Sequence, residues 1–261
     1  MNRKEILERS GSPGDRLLMA RVLDKIETVK KTHDIQVSDF LDPSQQALIS
    51  PVLSQVPGIS FLWAGGYLLS ERRRLVITPD YLEPDSSDAR LEVLAMTGSP
   101  KFHNLCHRDY LGAILSLGVK REKIGDLIVA GDGCQVIVDR DIAEYISTNL
   151  LKVGRAGIRV EKVSLEDLRL PEEQVREIFA TVPSLRLDAV AAAGFGVSRT
   201  KIAAEIAAEK ARVNWHVVTD SSYPVGEGDR ISIRGRGRME IDRVKGETKK
   251  GRLSLVLRRF Y

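Results

Sequence analysis

Asp126-Leu127-Ile128-Val129-Ala130-Gly131-Asp132-Gly133-Cys134-Gln135-Val136-Ile137-Val138 places two short apolar runs on either side of a glycine-rich turn. Residues 126–129 and 135–138 have the length and β-branched content of strands, and Ala130-Gly131-Asp132-Gly133 has the turn chemistry of a tight hairpin. Working outward, residues 108–117 carry Tyr110, Leu111, Ile114, Leu115 and Leu117 at helical spacing, and residues 141–150 read as a second helix. Leu91-Glu92-Val93-Leu94-Ala95-Met96 and Ile158-Arg159-Val160-Glu161-Lys162-Val163 add an outer strand on each side. The resulting order, β-α-β-β-α-β, is ferredoxin-like and RRM-like, a pattern shared by many RNA-recognition modules. Metal chaperones and small-molecule enzymes use it too, so the order predicts a fold and leaves function open.

Before this block, residues 14–33 predict a helix with Leu18, Val22, Ile26 and Val29 on one face. Asp42-Pro43 reads as a cap and a first-turn proline, opening a helix toward Val56 that Pro51 is expected to break or kink. Ile59-Ser60-Phe61-Leu62-Trp63-Ala64 and Arg74-Leu75-Val76-Ile77 are strand-like, with Gly65-Gly66 as a turn or bulge between them. The polar, turn-rich run Glu83-Pro84-Asp85-Ser86-Ser87-Asp88 marks a boundary. After the block, residues 171–179 are expected to form a linker helix. Leu185, Leu187, Val190 and Ala191 then begin a short helix that Gly194-Phe195-Gly196 stops, and Ser198 caps another that runs through Glu209. Strands follow around Ala211 to Trp215 and Arg230 to Ile233, and Leu253-Ser254-Leu255-Val256-Leu257 alternates like one more. The expected class is α+β, with domains at 1–84 (small, α/β), 85–168 (ferredoxin-like) and 184–261, the last with a basic carboxy-terminal extension, and the linker at 169–183.

Of 261 residues, 43% are hydrophobic and 29% charged, which suits a folded chain. No apolar run approaches the roughly 18 residues of a membrane span. Met1-Asn2-Arg3-Lys4-Glu5 leads into charged sequence without an apolar secretory core. Cys106 and Cys134 cannot staple a chain of this length, so free thiols and a cytoplasmic setting are expected. The formal net charge is +4, but residues 184–261 hold 16 Lys and Arg against 9 Asp and Glu, while the remainder holds 24 against 27. Such a split suggests that one end meets a polyanion, although a solvated basic surface accounts for the charge equally well.

The basic end also has pattern. Ser198 leaves free N–H groups at a helix start, which suits a phosphate. Arg199 and Lys201 sit in that first turn, where cations oppose the helix dipole and a phosphate would relieve the conflict. Arg186, Lys210 and Arg212 can extend the same basic face, with Asp188 as a structural partner for one of these cations. Read with a period of two, Arg230, Arg234, Arg236 and Arg238 fall on one face, and Ile231, Ile233, Gly235, Gly237 and Met239 on the other. That reading gives either an extended row of guanidinium groups or a disordered basic loop. Trp215 and His216 offer stacking surfaces, with Trp215 equally suited to the core.

Arg186-Leu187-Asp188, Gly196-Val197-Ser198-Arg199-Thr200-Lys201, Ala211-Arg212-Val213-Asn214-Trp215, Val217-Val218-Thr219-Asp220-Ser221-Ser222-Tyr223 and Val225-Gly226-Glu227-Gly228-Asp229-Arg230-Ile231-Ser232-Ile233 occur in this order. Over residues 184–240 the chain strongly resembles the S-four RNA-binding domain. The resemblance implies an S-four-like α+β fold and RNA contacts from Arg186, Ser198, Arg199, Lys201, Lys210, Arg212, Asn214, Arg234, Arg236 and Arg238. Gly65-Gly66-Tyr67, Glu71-Arg72-Arg73-Arg74, His107-Arg108-Asp109-Tyr110-Leu111-Gly112 and Lys123-Ile124-Gly125-Asp126 extend the likeness to nearly the whole chain, which resembles the YlmH family. That family implies a monomer that binds rRNA of the large ribosomal subunit and peptidyl-tRNA in rescue or quality control of stalled translation. It also suggests a second RNA surface at Arg72, Arg73, His107 and Arg108. Relatives differ in whether they serve alanine tailing. Cyanobacterial and plastid relatives have carried a photosystem II label that nothing in these residues explains.

Catalytic readings are weak. His107-Arg108-Asp109 has the letters of a kinase loop, but the downstream Asn and Asp-Phe-Gly are missing. Asp109 suits the first turn of a helix as a cap or charge. His103, Cys106 and His107 have metal-ligand spacing without a second ligand pair, so no metal or other cofactor is expected. Gly194-Phe195-Gly196 is half a dinucleotide fingerprint and follows a helix. The competing readings are an RNA-modifying enzyme with a catalytic middle domain, and a thylakoid assembly factor that binds a protein or an mRNA.

Overall fold

The computed structural model describes residues 3–98, 105–130, 133–170, 175–248 and 251–260. Contacts divide the chain into two compact units, residues 1–171 and 172–261. The Gly131-Asp132 turn, His103 and the start of the expected linker helix fall outside the described residues.

The first unit begins with α1 (Arg3–Arg9) and α2 (Pro13–Thr32). Ser12 and Asp15 form a capping box at the start of α2, and Val22, Ile26 and Val29 are buried along it. A three-stranded sheet follows, β1 (Gln36–Leu41), β2 (Ile59–Ala64) and β3 (Arg73–Pro79), in the order β1-β3-β2. Helix α3 (Pro43–Leu53) has the Asp42 cap and first-turn Pro43 that its sequence predicts. Pro51 does not break α3. It lies in the last turn, and the helix ends two residues later, short of Val56.

The strands β4 (Leu91–Gly98), β5 (Ile124–Ala130), β6 (Gly133–Asp139), β7 (Lys152–Val153) and β8 (Ala156–Val163) form a second sheet ordered β5-β6-β4-β8-β7, with every neighbour antiparallel. The first four strands have the ferredoxin-like arrangement, and β7 is a short addition. Helices α4 (His107–Leu115) and α5 (Arg140–Asn149) cover one face, with Ile114 and Ile146 packed among Leu94, Met96 and Val136. The other face, where RNA-recognition modules stack bases, is closed in part by the first sheet. Phe40, Ala64 and Val76 pack there against Leu91, Val93 and Ile137.

Polar contacts tie the two sheets together. The Asp126 carboxylate accepts from Tyr67 Oη at 2.9 Å and from the backbone N–H groups of Glu71 and Arg72 at 2.7 and 3.0 Å. Arg74 pairs with Asp139 at 3.1 Å, and both side chains are buried. Lys123 bridges Asp139 and Asp39 at 2.8 Å each. Residues 1–84 and 85–168 thus share one compact unit. Gly125 lies at this contact, where a Cβ would stand 2.7 Å from the buried ring of Phe40 and 3.2 Å from the Ile137 carbonyl. Gly125→Ala is therefore expected to destabilise this unit by about 1–3 kcal/mol, measured by urea denaturation.

The second unit is one antiparallel sheet under two helices. Its strands are β9 (Val175–Val182), β10 (Ala211–Val213), β11 (His216–Val217), β12 (Arg230–Ile233), β13 (Gly237–Glu247) and β14 (Leu253–Phe260), in the order β11-β10-β12-β13-β14-β9. Helices α6 (Leu187–Phe195) and α7 (Arg199–Ala207) bury Leu187, Val190, Ile202 and Ile206 against Ile231, Met239, Leu255 and Leu257. Two expectations fail here. Where a linker helix was expected, residues 175–182 are β9. Ile178, Ala180 and Val182 alternate toward the core, and β14 supplies the partner edge. The arginine row is not one extended segment but a hairpin, with Ile233 opposite Gly237 and Arg230 opposite Glu240. Gly235 and Gly237 have φ of +87° and +90°, a turn conformation that side-chain-bearing residues avoid. No helix among the described residues is long and apolar enough to cross a membrane.

Candidate nucleic-acid interface

The start of α7 is built as its sequence predicts. Ser198 has extended backbone angles, and its hydroxyl accepts from the Lys201 N–H at 3.4 Å. Lys201 itself is exposed. Arg199 is engaged, with its guanidinium 2.8 Å from Asp188. Arg186 approaches the other oxygen of the same carboxylate at 3.3 Å. Asp188 is buried and thus joins the first turns of α6 and α7. Burial opposes its charge, but hydrogen bonds from Arg199 and Arg186 outweigh that and hold its pKa below the usual range. Both guanidinium groups keep close to half of their side-chain surface exposed, so they can meet a phosphate while held by Asp188.

The far end of α7 is also basic. Lys210 and Arg234 are exposed, and the Arg234 N–H donates to the Lys210 carbonyl at 3.0 Å. Between the two ends lies Glu205, gripped by a forked pair of 2.6 Å hydrogen bonds from Arg236. That fork lowers the Glu205 pKa, aided by the charges of Lys201 and Lys210. Arg236 neutralises Glu205, and Lys201, Lys210 and Arg234 outnumber the exposed Glu209 that is left on this flank. An α-helix rises 1.5 Å per residue, so the two basic ends lie roughly 13 Å apart.

Other expected site residues have different places. Asn214, at φ +47°, donates to Asp229 at 2.8 Å and accepts from the Arg230 N–H at 2.9 Å, so it clamps a turn. Arg212 does not extend the α7 face. Its neighbours Ala211 and Val213 point to the core, so it stands on the opposite face of the sheet, as Arg238 does between Gly237 and buried Met239. Trp215 is half-buried, with the Arg230 guanidinium 5.4 Å from its ring centroid.

The suggested second surface in the first unit loses most of its cations to structure. Arg72 donates to the carbonyls of Ile124 and Phe40, both at 3.0 Å, and Arg73 donates to those of Ser70 and Leu68 at 2.8 and 3.1 Å. Sequence reading does not reveal this, because the acceptors are backbone oxygens, some of them distant in the chain. His107 and Arg108 are exposed at the start of α4, where Asp109 accepts from the Cys106 N–H at 2.8 Å, the first-turn role its position suggests. Partial desolvation of its ring, with the Arg121 charge nearby, lowers the His107 pKa. Arg108 is left as the exposed cation of that set. Among the described residues no group of three His, Cys, Asp or Glu side chains is placed to hold a metal.

Three family models match this chain. "YlmH, N-terminal" covers residues 14–82, "Putative RNA-binding domain in YlmH" covers 84–167, and "S4 domain" covers 185–231. The chain is 36% identical over 245 residues to "Ribosome-associated protein quality control protein P2" of Bacillus subtilis (strain 168), spanning 94% of this chain and 95% of that one. A solved structure titled "Cell division protein ylmH from Streptococcus pneumoniae" superposes with a TM-score of 0.53 at 23% identity, over 61% of this chain and 96% of the other. That likeness is one of fold.

Proposed function

This chain belongs to the YlmH family, and from that premise we propose that it is a non-catalytic RNA-binding factor that associates with the ribosome during quality control of stalled translation. Its partners in this reading are rRNA of the large subunit and tRNA, and it acts in the cytoplasm. The name of the Bacillus subtilis relative supports the ribosomal setting, and the two RNA-binding family models support the chemistry. The observation that carries the reading is the excess of positive charge along α7. Asp188 and Glu205 are matched by Arg199, Arg186 and Arg236, while Lys201 at the helix start and Lys210 and Arg234 at its far end remain exposed, three cations against the single exposed carboxylate of Glu209. Phosphate oxygens are the ligands such an arrangement suits.

Binding of this kind is electrostatic, and its affinity falls with salt as counterions are released. For ~4–6 phosphate contacts on single-stranded RNA, a plot of log affinity against log salt is expected to slope at roughly −3 to −4, and more steeply on a duplex. Ribosome co-sedimentation across a salt series measures the slope, and an affinity indifferent to salt would remove the phosphate reading.

A further inference from the structure

The S-four match ends at residue 231. Strands β9, β13 and β14 lie outside it and widen the sheet to six strands. Helices α6 and α7 pack on one face of that sheet. The register defines the other face. Arg212 stands opposite Ser232, Ser232 opposite Arg238, Arg238 opposite Phe260 and Phe260 opposite Val175. Two rungs along, Arg243 and Phe179 flank Val256. Side chains alternate along strands, so these residues share one side, and Ile231, Met239 and Leu257 between them point into the core.

On this outer face aromatic rings alternate with cations. The Arg238 guanidinium lies 5.2 Å from the Phe260 centroid, and the Arg230 guanidinium lies 5.8 Å from it on its way to Trp215. The Lys245 ammonium lies 4.9 Å from the Phe179 centroid, yet Phe179 remains 68% exposed. The acidic groups of the face, Glu177, Glu240 and Asp242, stand beside Arg230 or Arg258. Among the described residues of the face Arg212 and Lys245 come on top of these, so the face is positive.

We propose that the outer face of β13, β14 and β9 binds a single-stranded segment of RNA, with an unpaired base stacked on Phe179 and the neighbouring cations on its phosphates. Exposed rings set among cations suit a strand that offers both π-faces and phosphates. A duplex presents base edges rather than base faces, and a flat sheet cannot reach into its deep groove. Phe179 lies one strand over and four residues along from Phe260. That separation is about 13 Å along the strand, the length of roughly four stacked nucleotides. The site is on the opposite side of the sheet from α7, and its assignment does not depend on what α7 binds.

The test uses the full chain, a short fluorescein-labelled oligouridine and a blunt RNA duplex, with anisotropy as the readout. Phe179→Ala is expected to weaken oligouridine binding about fivefold to 100-fold and to leave duplex binding unchanged. Phe179 is exposed, so the variant should keep its circular dichroism spectrum. Phe179→Trp should restore affinity, and its fluorescence should be quenched as oligouridine is added. The proposal is overturned if the wild-type chain does not bind oligouridine, if Phe179→Ala binds it unchanged, or if the loss is equal on duplex. Failure of the α7 reading would look different, as duplex binding that survives reversal of Lys201 and Lys210.

Discussion

Reversing two charges, Lys201→Glu with Lys210→Glu, is expected to cut affinity for ribosomes or structured RNA at least about tenfold while the protein stays folded. Each lost charge-assisted contact costs about 1.5–3 kcal/mol, and about 1.4 kcal/mol is a factor of ten. The new carboxylates add repulsion to that. Stability should hardly change, for a specific reason. Ser198 with a glutamate at position 201 completes a capping box at the start of α7, a gain of about 0.3–1.5 kcal/mol. Like charge against Glu205, one turn on, takes back about 0.2–0.5 kcal/mol. Arg199→Glu is the wrong variant for this purpose. It would remove the guanidinium that pairs with the buried Asp188 at 2.8 Å and put a like charge on the same side, so loss of binding would follow from loss of structure. The matched control is Lys152→Glu with Arg155→Glu, two exposed cations of the first unit, which should leave filter binding as it is. If the control weakens binding and the α7 variant does not, the RNA anchor lies in the first unit.

The second large effect concerns the joint between the two sheets of that unit. Asp139 is 1% exposed and faces Arg74 at 3.1 Å, Lys123 at 2.8 Å and, at the cap of α5, the Asp141 N–H at 3.2 Å. Asp139→Ala would leave the buried Arg74 guanidinium without its counter-charge, at an expected cost of about 3–5 kcal/mol. The dependence on pH has a definite sign. Burial raises the Asp139 pKa, but the hydrogen bond from Lys123 and the charge of Arg74 outweigh it and hold the carboxyl below its ordinary value. A depressed pKa in the folded state contributes stability above the unfolded pKa of about 3.9, and that contribution is lost as pH falls through the folded value. The gap between wild type and Asp139→Ala in urea denaturation should therefore be full at neutral pH and narrow below about pH 4. The two units need separate probes, because a two-unit chain need not unfold in one step.

Much of the fold is legible from local pattern. The capping residues Asp42 and Ser198, the stop at Gly196 and the apolar face of α2 are each set by a few adjacent residues, and the structure has them all. The failures share a cause. Strand β9 reads as a helix because its partner β14 lies about 75 residues further on, and a pairing so distant leaves no mark on residues 175–182 beyond the alternation of Ile178, Ala180 and Val182. The arginine row reads as extended because its period of two runs unbroken through Gly235 and Gly237, whose positive φ makes a turn. The candidate site was legible as composition and less so as geometry. Nothing near Arg236 or Asn214 in the chain announces Glu205 or Asp229 as partners, and Arg212 looks contiguous with Lys210 until strand alternation sends it to the other side of the sheet. The exposed ring of Phe179 was hidden by the same misreading that hid β9.

The central claim is that the α7 flank of the second unit meets ribosomal RNA, and ultraviolet cross-linking tests it most directly. The full chain is bound to purified ribosomes at low salt, irradiated and digested, and the peptides that carry nucleotide adducts are sequenced. The account predicts adducts in peptides around Arg199, Lys201, Lys210 and Arg234, lost in the Lys201→Glu, Lys210→Glu variant. Adducts confined to residues 84–167, or a pattern unchanged in that variant, would contradict it.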